Sequence, residues 1–244
     1  MVENETAIVT GASSGIGKAI SEMLCKMGYH VYGIGRDFSK SKIEPSDKSE
    51  KNGIFEPIIL DLLHTEEVIK KMKEIRKNEK VTLLVNNAGV GYYGLHEELN
   101  IEKIQQMIRT NLEIPMILCN FWMRELKKEK GMIVMISSVT ADQTNPHGAV
   151  YGATKAGLSS FARSIFEESR KHGVQVVEIK PDMTQTELYR NADIKASSDE
   201  GAYLLPQDVS RALKYVLEER EGMVINEIKI KPQYHRIQKK IRKT

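Results

Sequence analysis

With 244 residues, 41% hydrophobic and 28% charged, the chain has apolar material for one sizeable core and the make-up of a globular domain. No stretch approaches the roughly 18 consecutive apolar residues of a membrane span, and the first strand pattern opens so close to Met1 that no signal peptide is expected, which sets a cytoplasmic address as the expectation. The net charge of +3 is uneven: residues 229–244 hold seven Lys/Arg and no acid, so the remainder carries −4, a mildly acidic body with a basic tail.

Thr6 to Thr10 is a compact β-type run that breaks at Gly11-Ala12-Ser13-Ser14-Gly15-Ile16-Gly17 before an amphipathic segment from Lys18. A strand feeding a helix through a glycine-rich turn lets a phosphate approach peptide N–H groups with no Cβ in the way, beside the positive end of the helix dipole. The spacing is G-x-x-x-G-x-G and not G-x-G-x-x-G, so the turn alone reads equally well as a phosphate cradle or as ordinary loop chemistry. Cys25 falls in this first helix and Cys119 in a later one; with no C-x-x-C and no neighbouring His cluster, both are expected as core residues, with no disulfide and no zinc.

His30 to Gly35 reads as a second strand, followed by a Lys/Ser-rich connection through Pro45 to Gly53. Ile54 to Leu60 is a third strand ending at Asp61, Thr65 to Asn78 a charged amphipathic helix, and Val81 to Val85 an apolar strand of the kind buried on both faces in a parallel sheet. It stops at Asn86-Asn87-Ala88-Gly89. One long helix is expected from Leu99 to Lys128, kinked at Pro115, with Trp122 in the core or at a subunit contact. Gly131 to Ile136 is a fifth strand, Val150 to Lys171 a helix, and Val174 to Ile179 a sixth strand ending at Pro181. Residues 182–205 lack a strong period and read as a substrate loop with room for short helices. A helix from Pro206 to Glu221 and a strand from Val224 to Ile230 complete the alternation.

Strands and helices alternating at this pace predict an α/β fold: a Rossmann-like, doubly wound parallel sheet of about seven strands flanked by helices on both faces. Residues 1–232 form the single domain in this reading and 233–244 the basic tail. Ligands of such sheets bind beyond the carboxyl ends of the strands, where Gly11, Arg36, Asp61, Asn86, Ser137-Ser138 and Pro181 all fall.

Tyr151 and Lys155 stand four apart in a helix and share a face. A tyrosine hydroxyl, with an ordinary pKa of about 10, exchanges protons poorly at neutral pH unless a cation lies within roughly 4–6 Å, and Lys155 can supply one. Tyr-x-x-x-Lys is a weak motif alone, although this is its sole occurrence among nine tyrosines. Ser138, thirteen residues before Tyr151, offers a neutral hydroxyl to position a carbonyl oxygen.

Taken in register, Thr10 to Gly17, Asn86 to Gly89, Asn111, Ser138 and Tyr151-x-x-x-Lys155 resemble the short-chain dehydrogenase/reductase family over practically the whole chain. The resemblance implies that Tyr151 is the catalytic acid/base, that Lys155 lowers its pKa and holds the nicotinamide ribose, that Ser138 orients the substrate oxygen and that Asn111 anchors a water-linked proton path. It implies cofactor contacts from Gly11, Ser13, Ser14, Gly15, Ile16 and Gly17 at the pyrophosphate, Asp61 and Leu62 at the adenine, and Asn87, Ala88 and Gly89 on the adenosine side. Pro181, Thr184 and Thr186 fall on the nicotinamide side. The implied chemistry is hydride transfer between the nicotinamide and a carbonyl or secondary alcohol, without a metal.

NADP(H) is favoured over NAD(H), because the end of the second strand is Gly35-Arg36 where an NAD enzyme places an acid; Asp37 next door weakens the preference. The family's Pro-Gly after the sixth strand is Pro181-Asp182 here, which leaves the geometry of that loop open. Tyr92, Tyr93 and Tyr189 are candidate substrate contacts, against the plainer reading that they cover loop or core edges; His96 and His147 read as structural or solvated and not as catalytic. The expected partners are a small carbonyl or alcohol substrate and a second or fourth copy of the chain, with no membrane; a solvated or subunit-contacting tail is preferred to a nucleic-acid-binding one. A non-catalytic, cofactor-bound sensor on the same fold is the alternative, and four intact catalytic positions argue for the enzyme.

Overall fold

The computed structural model describes residues 5–41, 43, 53–192, 194–197, 199–234 and 236–239. Pro45 with most of the connection around it, and the tail residues 240–244, lie outside the described residues.

Strand β1 (Thr6–Thr10) is buried along its whole length at the centre of the sheet. The glycine turn delivers helix α1 (Gly15–Lys26), which buries Ala19, Ile20, Leu24 and Cys25 on one stripe. Strands β2 (His30–Gly35) and β3 (Phe55–Ile59) follow, the latter an edge strand with Glu56, Pro57 and Ile59 exposed, where a proline costs no ladder bond. Helix α2 (Thr65–Asn78) and strand β4 (Val81–Asn86) return the chain to the other side of β1.

The long helix expected from Leu99 to Lys128 is two helices. Asn100 caps α3 (Ile101–Ile108) by accepting the Glu102 N–H at 2.8 Å. A π-helical turn, Arg109–Glu113, precedes α4 (Ile114–Glu129). The break therefore falls before Pro115, which sits in the first turn of α4, where its missing N–H is least costly. Proline cannot donate to the Asn111 carbonyl as residue i+4, and the extra residue of the π turn absorbs the mismatch.

Strand β5 (Met132–Ile136), helix α5 (Ala149–Ser169) and strand β6 (Gln175–Pro181) come next. In the 182–205 loop, Thr186 caps a short turn over Glu187–Asn191 and strand β7 (Ile194–Ala196) follows. Helix α6 (Pro206–Leu217) opens on its proline, and strand β8 (Glu227–Ile230) closes the sheet.

The sheet runs β3-β2-β1-β4-β5-β6-β8 with every neighbouring pair parallel, the seven-stranded doubly wound arrangement the alternation predicts. Side chains alternate along each strand, so Ala7 and Val9 pack with α1 and α6 while Ile8 packs with α2, α4 and α5. Trp122 and both cysteines are core residues, as expected, and each fully buried Ile or Leu contributes about 1.5–3 kcal/mol. The order reverses between β1 and β4, which opens a crevice at their carboxyl ends.

The described part of the basic tail is largely exposed and also pairs with the chain's own loop. Strand β9 (Ile237–Lys239) pairs antiparallel with β7, the Tyr234 N–H donates to the Gly201 carbonyl at 2.8 Å, and Arg236 meets Asp199 at 2.8 Å. The end of the described chain is thus laced to the loop beyond β6. Among the described residues no helix is long and apolar enough to cross a membrane.

Candidate active site

The crevice is built where the turns after β1 and β4 lock together. The Thr10 hydroxyl accepts the N–H groups of Asn87 and Ala88, both at 3.0 Å, and donates to the Val85 carbonyl at 3.3 Å. Asn87 answers by donating its amide to the carbonyls of Thr10 and Gly11 at 2.8 and 3.3 Å. Gly11 (φ 66°) and Gly15 (φ 52°) take left-handed backbone, and a Cβ on Gly11 would lie 2.9 Å from the Ala88 Cα. Gly17 has another duty: a Cβ there would meet the Gly11 carbonyl at 2.2 Å, so it closes the turn and does not line the crevice. Ser14 precedes α1 in extended backbone with no side-chain capping bond, and no acidic residue occupies the first turn, so the positive end of the dipole faces the crevice.

One half of the crevice is lined by Gly11, Ser13 to Ile16, Arg36, Asp61, Leu62 and Asn87 to Gly89. A side chain at position 35 has no room: its Cβ would lie 2.9 Å from the Ser13 Cβ and 3.0 Å from the Phe38 ring. Arg36 is exposed at this rim. Asp37 turns aside, its Oδ1 accepting the Ser39 N–H at 2.7 Å, a bond that holds its carboxyl below the usual range. Asp61 accepts the Leu63 N–H at 3.0 Å.

The other half contains Ser138, Tyr151, Lys155, Pro181, Asp182, Thr184, Thr186 and Tyr189. Successive turns of α5 bring Tyr151 and Lys155 to the crevice, and Ser138, two residues past β5, sets its hydroxyl against that of Tyr151. Lys155 donates from Nζ to the Ile136 carbonyl at 2.8 Å and stands 5.8 Å from the Tyr151 ring centroid. Burial pushes the lysine down to about 8, with Glu178 opposing. The tyrosine hydroxyl is raised above its ordinary value, chiefly by burial, with Tyr189 adding and Ser138 opposing. Burial is thus the largest influence on this hydroxyl, while the Lys155 ammonium donates to a main-chain oxygen close by.

Asn111 is fully buried behind the crevice wall. Its side chain accepts the Val90 N–H at 2.8 Å and donates to the Val90 carbonyl at 2.9 Å and to Thr154 Oγ1 at 3.1 Å, tying the loop after β4 to α5. A Cβ on Gly89 would sit 3.5 Å from Asn111 Oδ1 and 3.8 Å from Lys155 Nζ, so the three groups converge.

The three candidate substrate tyrosines part company. Tyr93 lies between Tyr189 (centroids 5.7 Å apart, 30°) and Tyr151 (5.8 Å, 41°), and the Tyr189 hydroxyl is pushed up to about 12, first by burial and then by Asp182. Only Tyr189 of the three lines the crevice itself; Tyr92 points at α3, donating to Gln106 at 2.7 Å. The sequence reading gave no role to the Thr10 and Thr154 hydroxyls, which hold the loops, and missed Gln106, Thr110, Glu187 and Leu188 on the wall. Position gave the only signal: Thr10 abuts the glycine turn and Thr154 abuts Lys155. Among the described residues no cluster of three His, Cys, Asp or Glu could hold a metal ion.

Residues 5–196 match the sequence profile of the short chain dehydrogenase family. The chain is 31% identical over 236 residues to an uncharacterized oxidoreductase of Staphylococcus saprophyticus, covering 95% of this chain and 98% of that one. It is 30% identical over 233 residues to the 3-oxoacyl-(acyl-carrier-protein) reductase of Escherichia coli K12, covering 92% and 94%. Among solved structures, an alcohol dehydrogenase from the archaeon Thermococcus sibiricus complexed with 5-hydroxy-NADP matches with a TM-score of 0.84 at 26% identity, covering 96% of this chain and 99% of that one. A metagenomic short-chain oxidoreductase in complex with NADP matches at 0.79 and 27%, covering 94% and 98%. With a glycine turn, a Ser-Tyr-Lys group in one crevice and these relatives, the chain belongs to the short-chain dehydrogenase/reductase family and is an oxidoreductase.

Proposed function

We propose that the protein is an NADP(H)-dependent reductase or dehydrogenase of a carbonyl or secondary alcohol, with Tyr151 as the general acid/base. The observation that carries this reading is the Tyr151 hydroxyl, which faces Ser138 and shares one crevice with Lys155 and the glycine turn. When bound, the nicotinamide supplies or accepts the hydride.

The residues fit such a cofactor. The Gly11–Gly15 turn and the uncapped start of α1 would take the pyrophosphate, a fit supported by the close approach of Gly11 to Ala88 and of Gly15 to Thr186. Asp61, Leu62 and Asn87 to Gly89 would line the adenosine, and Thr184 and Thr186 the nicotinamide side. The choice of NADP(H) is supported by the crowding at Gly35, which excludes an acid there, by the exposed Arg36 guanidinium, and by Asp37 being turned to Ser39. Both solved relatives described above carry NADP or its derivative.

In reduction, Tyr151 gives its proton to the developing alkoxide oxygen, which Ser138 orients, and the charge left on the tyrosine faces the Lys155 ammonium. By family membership Asn111 would anchor a water-linked path for returning the proton. Burial keeps Tyr151 as the neutral phenol at neutral pH, the form that donates. By family membership the protein is read as a homodimer or homotetramer, and two buried free cysteines accord with a cytoplasmic setting. The test mixes purified protein with NADPH or NADH and a panel of aldehydes and ketones, following loss of reduced cofactor; turnover favouring NADPH is expected. Tight NADPH binding without turnover on any member would favour the sensor reading.

A further inference from the structure

Two charges that the proposed reaction does not use lie beneath the catalytic centre. Glu178 and Lys180, two apart on β6 and so on one face, are 2% and 1% exposed in the middle of an otherwise apolar run. Charge is buried at such a cost that it calls for a reason. The Ser159 hydroxyl lies 2.5 and 2.7 Å from the two Glu178 oxygens and donates to that carboxylate. Ser159 stands one helical turn beyond Lys155 and two beyond Tyr151, on the same face of α5. Lys180 Nζ reaches Asp142 at 2.9 Å, Glu227 at 2.8 Å and Glu178 at 3.5 Å. Asp142 ends the short turn that starts at Ser138, and Lys229 also holds it, at 2.6 Å.

One ion network therefore grips both catalytic elements. It contains three carboxylates (Asp142, Glu178, Glu227) and two ammoniums (Lys180, Lys229), and the Glu178 charge acts on the Lys155 ammonium, which lies one turn from Ser159 on α5. We propose that Glu178 and Lys180 are positioning residues of the catalytic centre: Glu178 is the counter-charge of Lys155 and seats the α5 helix through Ser159, while Lys180 seats the Ser138 turn through Asp142. This rests on the reading that Tyr151 and Lys155 perform the chemistry. The titratable groups around Lys155 are Tyr151 on its own helix and Glu178 from β6, with Lys180, Asp142, Glu227 and Lys229 behind Glu178. The π turn and the end of β5 present Asn111, Ser137 and Ser138, which carry no charge.

The test is an NMR titration of Lys155 in the full-length protein without cofactor, using lysine-selective isotope labelling and assigning the signal by its loss in Lys155→Met. The native midpoint should lie near 8. Glu178→Gln should lower it by about one pH unit, Lys180→Met should raise it, and the double variant should return it close to native. The alkaline limb of kcat/KM should move in the same directions, which a purely structural role would not produce. If Lys180→Met fails to fold, Glu227→Gln at the partly exposed rim should lower the midpoint by a few tenths. A Lys155 midpoint unmoved by Glu178→Gln, or moved the same way by Glu178→Gln and Lys180→Met, overturns the proposal. Turnover retained in Tyr151→Phe would instead sink the reading of the reaction, leaving the titration to judge the ion pair on its own.

Discussion

The Lys155 ammonium donates a 2.8 Å hydrogen bond to the main-chain oxygen of Ile136, inside a site that buries it almost completely. The ion is thus held where water cannot solvate it, and the fold carries the cost. Its folded pKa of about 8 lies below the ordinary 10.5, so the unfolded chain binds the proton more tightly. Stability from this group is full above the unfolded value and is lost as pH falls through about 8. Lys155→Met should therefore remove a burial cost of roughly 1–3 kcal/mol at pH 7, offset in part by the loss of positive charge beside the buried Glu178, and the net gain should fade as pH rises toward the unfolded value, while turnover is abolished. Chemical denaturation at pH 7 and pH 10 checks both the sign and its disappearance.

Thr10→Val keeps the shape of the side chain but removes the acceptor for two N–H groups, of Asn87 and Ala88. A loss of about 1–3 kcal/mol is expected, with a raised KM for the cofactor, since the turns after β1 and β4 lose their shared anchor. Urea denaturation together with cofactor titration measures both, and an unchanged cofactor affinity would show that Asn87 alone holds the turns in register.

Arg36→Ala should raise the KM for NADPH by roughly tenfold while leaving that for NADH nearly unmoved. Parallel steady-state assays with the two cofactors decide it. An equal effect on both would mean that the guanidinium does not meet the 2′-phosphate.

Ending the chain after Pro232 removes β9, the Tyr234–Gly201 bond and the Arg236–Asp199 pair. Limited proteolysis should then cut within residues 194–201 several times faster, and the KM for substrate should rise, because Tyr189 belongs to the released loop. Cleavage at the native rate would show that the loop is held by its own contacts.

The main sheet was legible in the sequence because most of the parallel strands are largely apolar runs closed by Gly, Asn, Asp, Ser or Pro, and because Tyr151 and Lys155 need only helical spacing to share a face. The β7–β9 ribbon was not, since three-residue strands some forty positions apart leave no period. Pro115 announced a break but not its place; the π turn precedes it because a proline is cheapest in the first turn of the next helix. The side-chain roles of Asn111, Thr10 and Thr154 needed three-dimensional proximity. So did the raised Tyr151 hydroxyl, which burial pushes up and which no spacing in the sequence reveals.

The central claim is that Tyr151 moves the proton. Its most direct test is turnover by Tyr151→Phe with NADPH and whichever carbonyl the native protein reduces best, paired with a fluorescence titration of NADPH binding. The account expects NADPH affinity within about threefold of native and a fall in kcat of roughly a thousandfold or more. Native turnover by the phenylalanine variant would contradict it.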